Sequence, residues 1–585
     1  MTYRAPVEDL QFLIGDVLGG RELFALEAFR HADFEVVESV LAAGARLAAE
    51  VIEPINQPGD QAGARIVNGA VVTAPGFREA YARYVRDGWS GLDMPREYGG
   101  QGLPRMLQAA IAEMVNGACL SFGMLPLMCR ASAWLLAEHA SAAIATVYVP
   151  KLAAGEWGAT ICISEPQAGS DVGRIQTLAK PADGGSYLLS GSKIFITYGD
   201  QDLTEQICHL VLARTPGAPA GTRGISLFLV PKRLITTDGG LGAHNGMRAL
   251  RLEHKMGLKA SPTCVMQYAD CVAYRIGELH RGLSAMFTMV NTMRLEVALQ
   301  GVAIGGAATH RALQYATERP QGGDPERAPV PISEHPDVRR MLLLMRARIE
   351  PLRALLLEIA RNLDVAAAAA PEAATRAAAA ALAEWLLPIG KACGADAGFE
   401  VANLAVQIFG GQGYVSDAGV EQYVRDIRVA SIYEGTNGIQ ALDLVTRRLG
   451  RDSSKRFDAF ASRIRADLKR LAGQAEVGQI HAAVGDGLTR LERCTQRMVE
   501  LNAGSPRDAA AGATPYLRLA GLVACGWMWL RMAAAALGDS DFARGKRIAA
   551  VFFAEQLMPE AALLETQACL GAATLDALAP NASQW

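Results

Sequence analysis

Apolar residues recur at helical spacing in the first part of the chain. Leu10, Phe12, Leu13 and Val17 form one such set, and Val36, Val40, Leu41 and Leu47 another, each lying on one face of a helix. This pattern predicts helix to about Gly158, with one interruption. Residues 88–102, Gly-Trp-Ser-Gly-Leu-Asp-Met-Pro-Arg-Glu-Tyr-Gly-Gly-Gln-Gly, are too dense in glycine and proline for continuous helix. From Ala159 to about Arg275 the period changes. Thr160-Ile161-Cys162-Ile163, Tyr187-Leu188-Leu189, Ile194-Phe195-Ile196-Thr197, residues 207–213 and residues 224–230 read as short strands. Gly, Pro, Asp and Ser turns separate them, so a compact antiparallel β-domain is predicted. No strand there leads through a Gly-x-Gly-x-x-Gly turn into a helix, so a nucleotide is not expected to be held in the Rossmann manner.

Helical patterning returns from about Leu283 to Leu449 and again from about Lys455 to the end. Alanine-rich stretches favour helix, and Pro371 marks a break between two of them; residues 366–376 read as an exposed connection. Gly504-Ser505-Pro506, Gly512 and Pro515 punctuate the last block. The class is therefore α+β. Its expected parts are an N-terminal helical domain (1–158), a central β-domain (159–280), a C-terminal helical bundle (281–452) and an extra helical domain (453–585).

Composition narrows the function. The 585 residues are 50% hydrophobic with a net charge of −3, which does not suit a nucleic-acid binder or a polybasic membrane protein. The last block carries 15 Lys/Arg against 13 Asp/Glu, too balanced to track a phosphate backbone. The apolar run 519–530 is too short to span a bilayer and is flanked by Arg518 and Arg531. It reads as a buried helix or, second, an oligomer interface. The ten cysteines form no Cys-x-x-Cys pair and none has a His at metal-ligand spacing, so reduced thiols and no metal site are expected. The first eight residues lack an apolar signal core, and a cytoplasmic location is the expectation.

One window carries candidate chemistry: Ser431-Ile432-Tyr433-Glu434-Gly435-Thr436-Asn437-Gly438-Ile439-Gln440. An acid buried among apolar neighbours has a raised pKa and can act as a base toward a weakly acidic carbon. Taken alone, the same window also reads as a surface acid at a helix boundary.

Four motifs, in order, resemble the acyl-CoA dehydrogenase family over roughly residues 36–449. Ile163-Ser164-Glu165-Pro166-Gln167-Ala168-Gly169-Ser170-Asp171-Val172 is similar to its Thr-Glu-Pro-x-Ala-Gly-Ser-Asp loop. Leu189-Ser190-Gly191-Ser192-Lys193-Ile194-Phe195-Ile196-Thr197 is similar to its Asn-Gly-x-Lys-x-Trp-Ile-Thr strand. Ala405-Val406-Gln407-Ile408-Phe409-Gly410-Gly411-Gln412-Gly413-Tyr414 is the third, and Tyr433-Glu434-Gly435-Thr436, after Arg425-Asp426, is the fourth. The N-terminal lead and the final block resemble the family's extended branch, which includes methylthiopropionyl-CoA dehydrogenases and, more loosely, very-long-chain enzymes.

The resemblance implies FAD-dependent conversion of an acyl-CoA to a trans-2-enoyl-CoA, on 3-methylthiopropionyl-CoA or a fatty acyl-CoA. It makes Glu434 the base for the α-proton, with its backbone N–H polarising the thioester. Members with the base on an earlier helix carry it just before an Arg; here Met293 precedes Arg294. Ile161, Ile163, Ser164, Gly169, Ser170, Phe195, Thr197, Thr436 and Gly438 are implied FAD contacts. Arg319, Gln407 and Gly411 are implied to reach FAD across a subunit boundary, which implies a homodimer or a dimer of dimers. Gly410-Gly411 also reads as a helix C-cap, compatible with that role. Ser170, Asn291, Arg294, Tyr433 and Gly435 are implied substrate contacts.

Three departures stand out. Phe195 replaces the usual Trp and reads either as a cover for the flavin or as a core strand residue. Gly322 replaces an aromatic, and Asn291 an Asp. Arg294 reads equally as a structural ion pair. An electron-transferring flavoprotein is the implied acceptor. Rival readings are an acyl-CoA oxidase using oxygen, a DNA-associated flavoprotein of the same superfamily, and a long-chain enzyme anchored to a membrane through the final block.

Overall fold

The computed structural model describes residues 3–369, 371–450 and 454–577. It divides into two compact units. One comprises residues 3–5 and Ala42–Glu296; the other comprises Pro6–Leu41 and the described residues from Val297 onward. The expected boundary at 452/453 and the residue Ala370 lie outside the described residues.

The first unit joins helices to a β-domain. Its strands are β1 (Arg65–Val67), β2 (Ala70–Val72), β3 (Gly158–Cys162), β4 (Leu178–Pro181), β5 (Tyr187–Thr197), β6 (Ile207–Arg214), β7 (Ile225–Pro231), β8 (Arg233–Ile235), β9 (Leu241–His244), β10 (Met247–Leu252) and β11 (Thr263–Ile276). The seven-stranded sheet runs β10-β11-β5-β4-β6-β3, and β7 pairs with both β11 and β6. Strands β11, β5, β4, β6 and β7 therefore close into a ring. Most pairings are antiparallel, as expected, but β3 and β4 both run parallel to β6. Leu189, Ile196, Val211, Phe228, Val230 and Met266 fill its core, each stabilising by about 1.5–3 kcal/mol on burial.

Sequence patterning missed the β1–β2 hairpin within the helical region and did not find β11, the longest strand. It also split β5 in two. The strand continues through Gly191, which packs against Thr177, so a turn-like residue there marks a close approach rather than a chain reversal. The interruption at 88–102 is real: it forms two single-turn 3-10 segments. Asp93 within it accepts from Arg130 at 2.9 Å, and Arg130 also pairs with Glu296. Helix Leu120–His139 is long and apolar enough to cross a membrane by length and composition, yet most of it is buried in this unit.

In the second unit, Ala373–Phe409 is a 37-residue helix, as its alanine content predicts. It crosses the helix Gly282–Glu318 where that helix runs through this unit, at glycines on both sides. A Cβ on Gly301 would stand 1.9 Å from the Gly394 carbonyl oxygen, and one on Gly398 would stand 2.5 Å from the Gly301 oxygen. Backbone rests on backbone there, which only glycine permits.

The final block packs into the core of this unit. Trp385 meets Phe457 edge-on at 5.5 Å, and the Trp529 indole donates to the Ala347 carbonyl at 3.1 Å. Asp9 in the N-terminal lead accepts from Arg353 at 2.6 Å and also pairs with Lys546. Lys546 reaches Glu350 at 2.8 Å. Burial alone would raise the Glu350 carboxyl, but Lys546 and Arg346 outweigh it and hold it well below the usual carboxylate range. Residues 519–530 lie in the core of helix Pro506–Ala535. The break at Ser505 is as expected. Gly512 and Pro515, read as punctuation, instead lie inside that helix, because Gly512 backs directly onto the Ala568 carbonyl. The connection at Pro371 is shorter than expected, since the flanking helices extend to Ala367 and from Ala373.

Candidate active site

The β-domain unit gathers the first two motifs by hydrogen bonds between β3, its following loop and β5. The Ile194 N–H donates to the Ser164 carbonyl at 2.9 Å. Thr160 Oγ1 donates to the Thr197 carbonyl at 2.7 Å, and Lys193 Nζ donates to the Ile163 carbonyl at 2.9 Å. Ile161, Ile163, Ser164, Phe195 and Thr197 thus share one edge of the domain.

The loop turns tightly at Glu165-Pro166-Gln167-Ala168, where Glu165 and Ala168 exchange backbone hydrogen bonds at 3.0 and 2.9 Å. The buried Glu165 carboxylate pins it. It accepts from Lys193 Nζ at 2.8 Å, Thr177 Oγ1 at 2.6 Å, Thr177 N at 3.0 Å and Gln176 N at 2.7 Å. Burial would raise its pKa; the Lys193 charge and these donors overcome that and bring it to about 2. Neither Glu165 nor Lys193 was assigned a role from sequence. The only signal was their presence in the two motifs, since 28 residues separate them.

Gly169 and Ser170 emerge exposed beyond this turn. Phe195 is 62% exposed and has φ +60°. It lies where Ile194 and Phe195 oppose the single residue Val265 between the Lys193–Met266 and Ile196–Cys264 pairs. Such a bulge re-aims a side chain. The core reading of Phe195 therefore fails: the aromatic is turned outward, where it can cover a bound ring. Asn291 and Arg294 come together in this unit, with Arg294 Nη1 donating to Asn291 Oδ1 at 3.5 Å.

The helical unit holds Glu434. It sits in a loop between the 3-10 turn Arg428–Ser431 and the helix Asn437–Leu442, with φ +55°, and Gly435 follows at +85°. A left-handed backbone at a non-glycine residue costs about 1–3 kcal/mol and persists where surroundings over-determine it. Gln440 Nε2 donates to the Glu434 and Gly435 carbonyls at 3.2 and 3.3 Å, and Lys391 Nζ donates to the Gly435 carbonyl at 2.8 Å. Neither Lys391 nor Gln440 was singled out from sequence.

The Tyr433 hydroxyl donates to Gln300 Oε1. Burial, then the Glu434 charge, pushes the phenol pKa up. Thr436 caps the next helix, accepting from Ile439 N at 3.2 Å, which leaves its O–H as a donor. The expectation that apolar neighbours bury Glu434 is not met: it is half-buried, with Ile432 54% and Ile439 37% exposed. Desolvation must come from what binds beside it.

Tyr315 stacks on Phe409 at 4.2 Å, bringing the end of helix Gly282–Glu318 to the end of helix Ala373–Phe409. Arg319 and Gln407 follow on these two ends, both exposed, with Gly410 and Gly411 beside them.

These residues fit a flavin dinucleotide. Apart from adjoining backbone, no described atom stands within 4 Å of where a Cβ on Gly169, Gly410 or Gly411 would lie. Each glycine leaves open backbone for a ligand to approach. Phe195 supplies an aromatic face, and Arg319 a guanidinium suited to phosphate.

Glu165 offers a direct check. Its folded pKa, about 2, lies below the ordinary 4.5. The stabilisation it gives is therefore complete above about pH 4.5 and fades as pH falls toward 2. Glu165→Gln leaves Lys193 buried without its counter-charge and is expected to cost about 3–5 kcal/mol. Thermal melts should show a lower midpoint and less bound FAD at pH 7, with the gap to the wild type narrowing below about pH 4.5 and closing only near pH 2.

Comparison with known proteins identifies the family and the fold. Residues 39–156, 160–271 and 280–450 match the N-terminal, middle and C-terminal domains of acyl-CoA dehydrogenase, and residues 460–579 match an acetyl-CoA dehydrogenase C-terminal-like domain. The chain is 41% identical to a 3-methylmercaptopropionyl-CoA dehydrogenase of Ruegeria pomeroyi, over 96% of this chain and 97% of the relative. It is 31% identical to a broad-specificity linear acyl-CoA dehydrogenase of Mycobacterium tuberculosis, over 95% and 96%. The fold matches that of an acyl-CoA dehydrogenase from Bacillus anthracis complexed with FAD, with a TM-score of 0.76 at 19% identity, covering 99% of this chain and 93% of the other. The chain belongs to the acyl-CoA dehydrogenase family: it is an FAD-dependent enzyme acting on acyl-CoA.

Proposed function

We propose that Glu434 is the base that removes the α-proton of the acyl-CoA thioester, and that the substrate of this enzyme is 3-methylthiopropionyl-CoA. One observation carries the base: the Glu434 backbone is locked in the left-handed region while its side chain stays half-open. An acyl chain that displaces the remaining water raises the basicity of such a carboxylate. When bound, FAD supplies at N5 the acceptor for the β-hydride. Ile161, Ile163, Ser164, Gly169, Ser170, Phe195, Thr197, Thr436 and Gly438 are the residues proposed to contact it. Ser170, Asn291, Arg294, Tyr433 and Gly435 would meet the acyl-CoA substrate, Asn291 and Arg294 toward its pantetheine and adenine end. The substrate assignment rests on the 41% identical relative named for 3-methylmercaptopropionyl-CoA.

The same reading makes the enzyme a homodimer or a dimer of dimers. It is supported by the exposure of Arg319, Gln407, Gly410 and Gly411 on one unit, next to Tyr414 at 89% and Val415 at 46% exposure. A second copy covering this face would bring Arg319 and Gln407 to the partner's FAD. Electrons would leave to an electron-transferring flavoprotein, and the enzyme would work in the cytoplasm, in keeping with its ten free thiols.

Glu434→Gln should keep its yellow FAD but lose anaerobic flavin bleaching by acyl-CoA, by about 10²–10⁴-fold; full activity would remove Glu434 from this role. In an anaerobic panel of acyl-CoAs, 3-methylthiopropionyl-CoA should bleach the flavin with the highest kcat/KM. A long-chain substrate ahead of it would overturn the assignment, and stoichiometric hydrogen peroxide in air would mark an oxidase. Light scattering should give two or four times the mass of one chain, and a monomer that retains FAD would refute the shared site.

A further inference from the structure

Lys391 is fully buried on helix Ala373–Phe409. Besides the Gly435 carbonyl at 2.8 Å, its ammonium donates to Asn437 Oδ1 at 3.1 Å. Asn437 Nδ2 in turn donates to Asp396 Oδ1 at 2.7 Å and to the Ala392 carbonyl at 3.3 Å, both on the same helix. Gln440, also fully buried, binds the carbonyls of Glu434 and Gly435 through its amide nitrogen. Both acceptors are carbonyl oxygens, so the nitrogen must face them. Three donor contacts therefore converge on two successive carbonyls of the left-handed pair Glu434 and Gly435.

A buried ammonium is a weak stability device. Taking it out of water is costly, and its hydrogen bonds mainly offset that cost. Its geometric effect is larger, because placing a reacting group wrongly by about 1 Å can cost on the order of 10²-fold in rate.

We propose that Lys391, with Gln440, is a positioning residue for the dehydrogenation: its ammonium holds the Glu434–Gly435 backbone left-handed and so fixes where the Glu434 carboxylate meets the substrate α-carbon. This rests on Glu434 being the base. Lys391 touches neither the carboxylate's target nor the thioester; it acts through the loop.

The test uses the FAD-loaded enzyme and the acyl-CoA that bleaches it fastest. Lys391→Met should retain flavin absorbance per chain, with a melting midpoint lowered by the Gly435 and Asn437 acceptors it leaves short of a donor. Its limiting rate of anaerobic bleaching should fall about 10–100-fold, with substrate affinity within about twofold. Wild-type bleaching by Lys391→Met overturns the proposal. If Lys391→Met does not hold FAD, Gln440→Leu decides, since it keeps the ammonium and removes the other two contacts. A loss of limiting rate at unchanged affinity supports the proposal, and a wild-type rate overturns it. Glu434→Gln run alongside separates the two ideas. If that variant is inactive while Lys391→Met is fully active, only the positioning role fails; if Glu434→Gln is fully active, the base itself is wrong.

Discussion

The loop that carries Glu434 depends on one backbone contact. Gly301 on one helix and Gly394 and Gly398 on another leave no room for a side chain between them. That approach puts Gln300 and Lys391, neighbours of the contact in sequence, around the loop 433–435. Gln300 takes the Tyr433 hydroxyl and Lys391 takes the Gly435 carbonyl. If the helices stood farther apart, as a residue with a Cβ would require, neither group would reach. The strained Glu434 backbone is thus a product of helix packing, stabilised by interactions outside the loop.

The β-domain solves the corresponding problem with a buried ion pair. Glu165 and Lys193 bind each other and, between them, five further groups of the loop and strands. A half-satisfied buried pair is destabilising, whereas a fully bonded one fixes geometry. In both units the groups that hold the backbone are buried, while several of the groups assigned to chemistry face outward, although Arg294 is buried. Phe195, Ser170 and Arg319 are exposed, and Glu434 is half-open. Such a division leaves desolvation to the bound cofactor and substrate, which is where a base gains strength only when there is a proton to remove.

The final helical block is tied into this framework. Its Trp529 and Lys546 reach residues of helix Pro336–Ala367, and Lys546 also meets Asp9 of the N-terminal lead. The two ends of the chain are joined through buried charges that have no apolar periodicity to announce them. This is why the block reads as an appendage in sequence and as part of one core in space.

The sequence by itself determined the class of the fold, the order of helices and strands, and the family, because periodicity and short motifs are local properties. It also singled out Glu434, Phe195 and Arg319 by resemblance. It did not determine that Phe195 faces outward, because that follows from a bulge whose register is set by β11, about seventy residues away. Nor did it yield Lys391, Gln440 or the Glu165–Lys193 pair as holding groups. A lysine in an alanine-rich helix has the same local signature whether it meets water or a buried carbonyl. Only the tertiary structure, by bringing Gly301 against Gly394, decided which it meets.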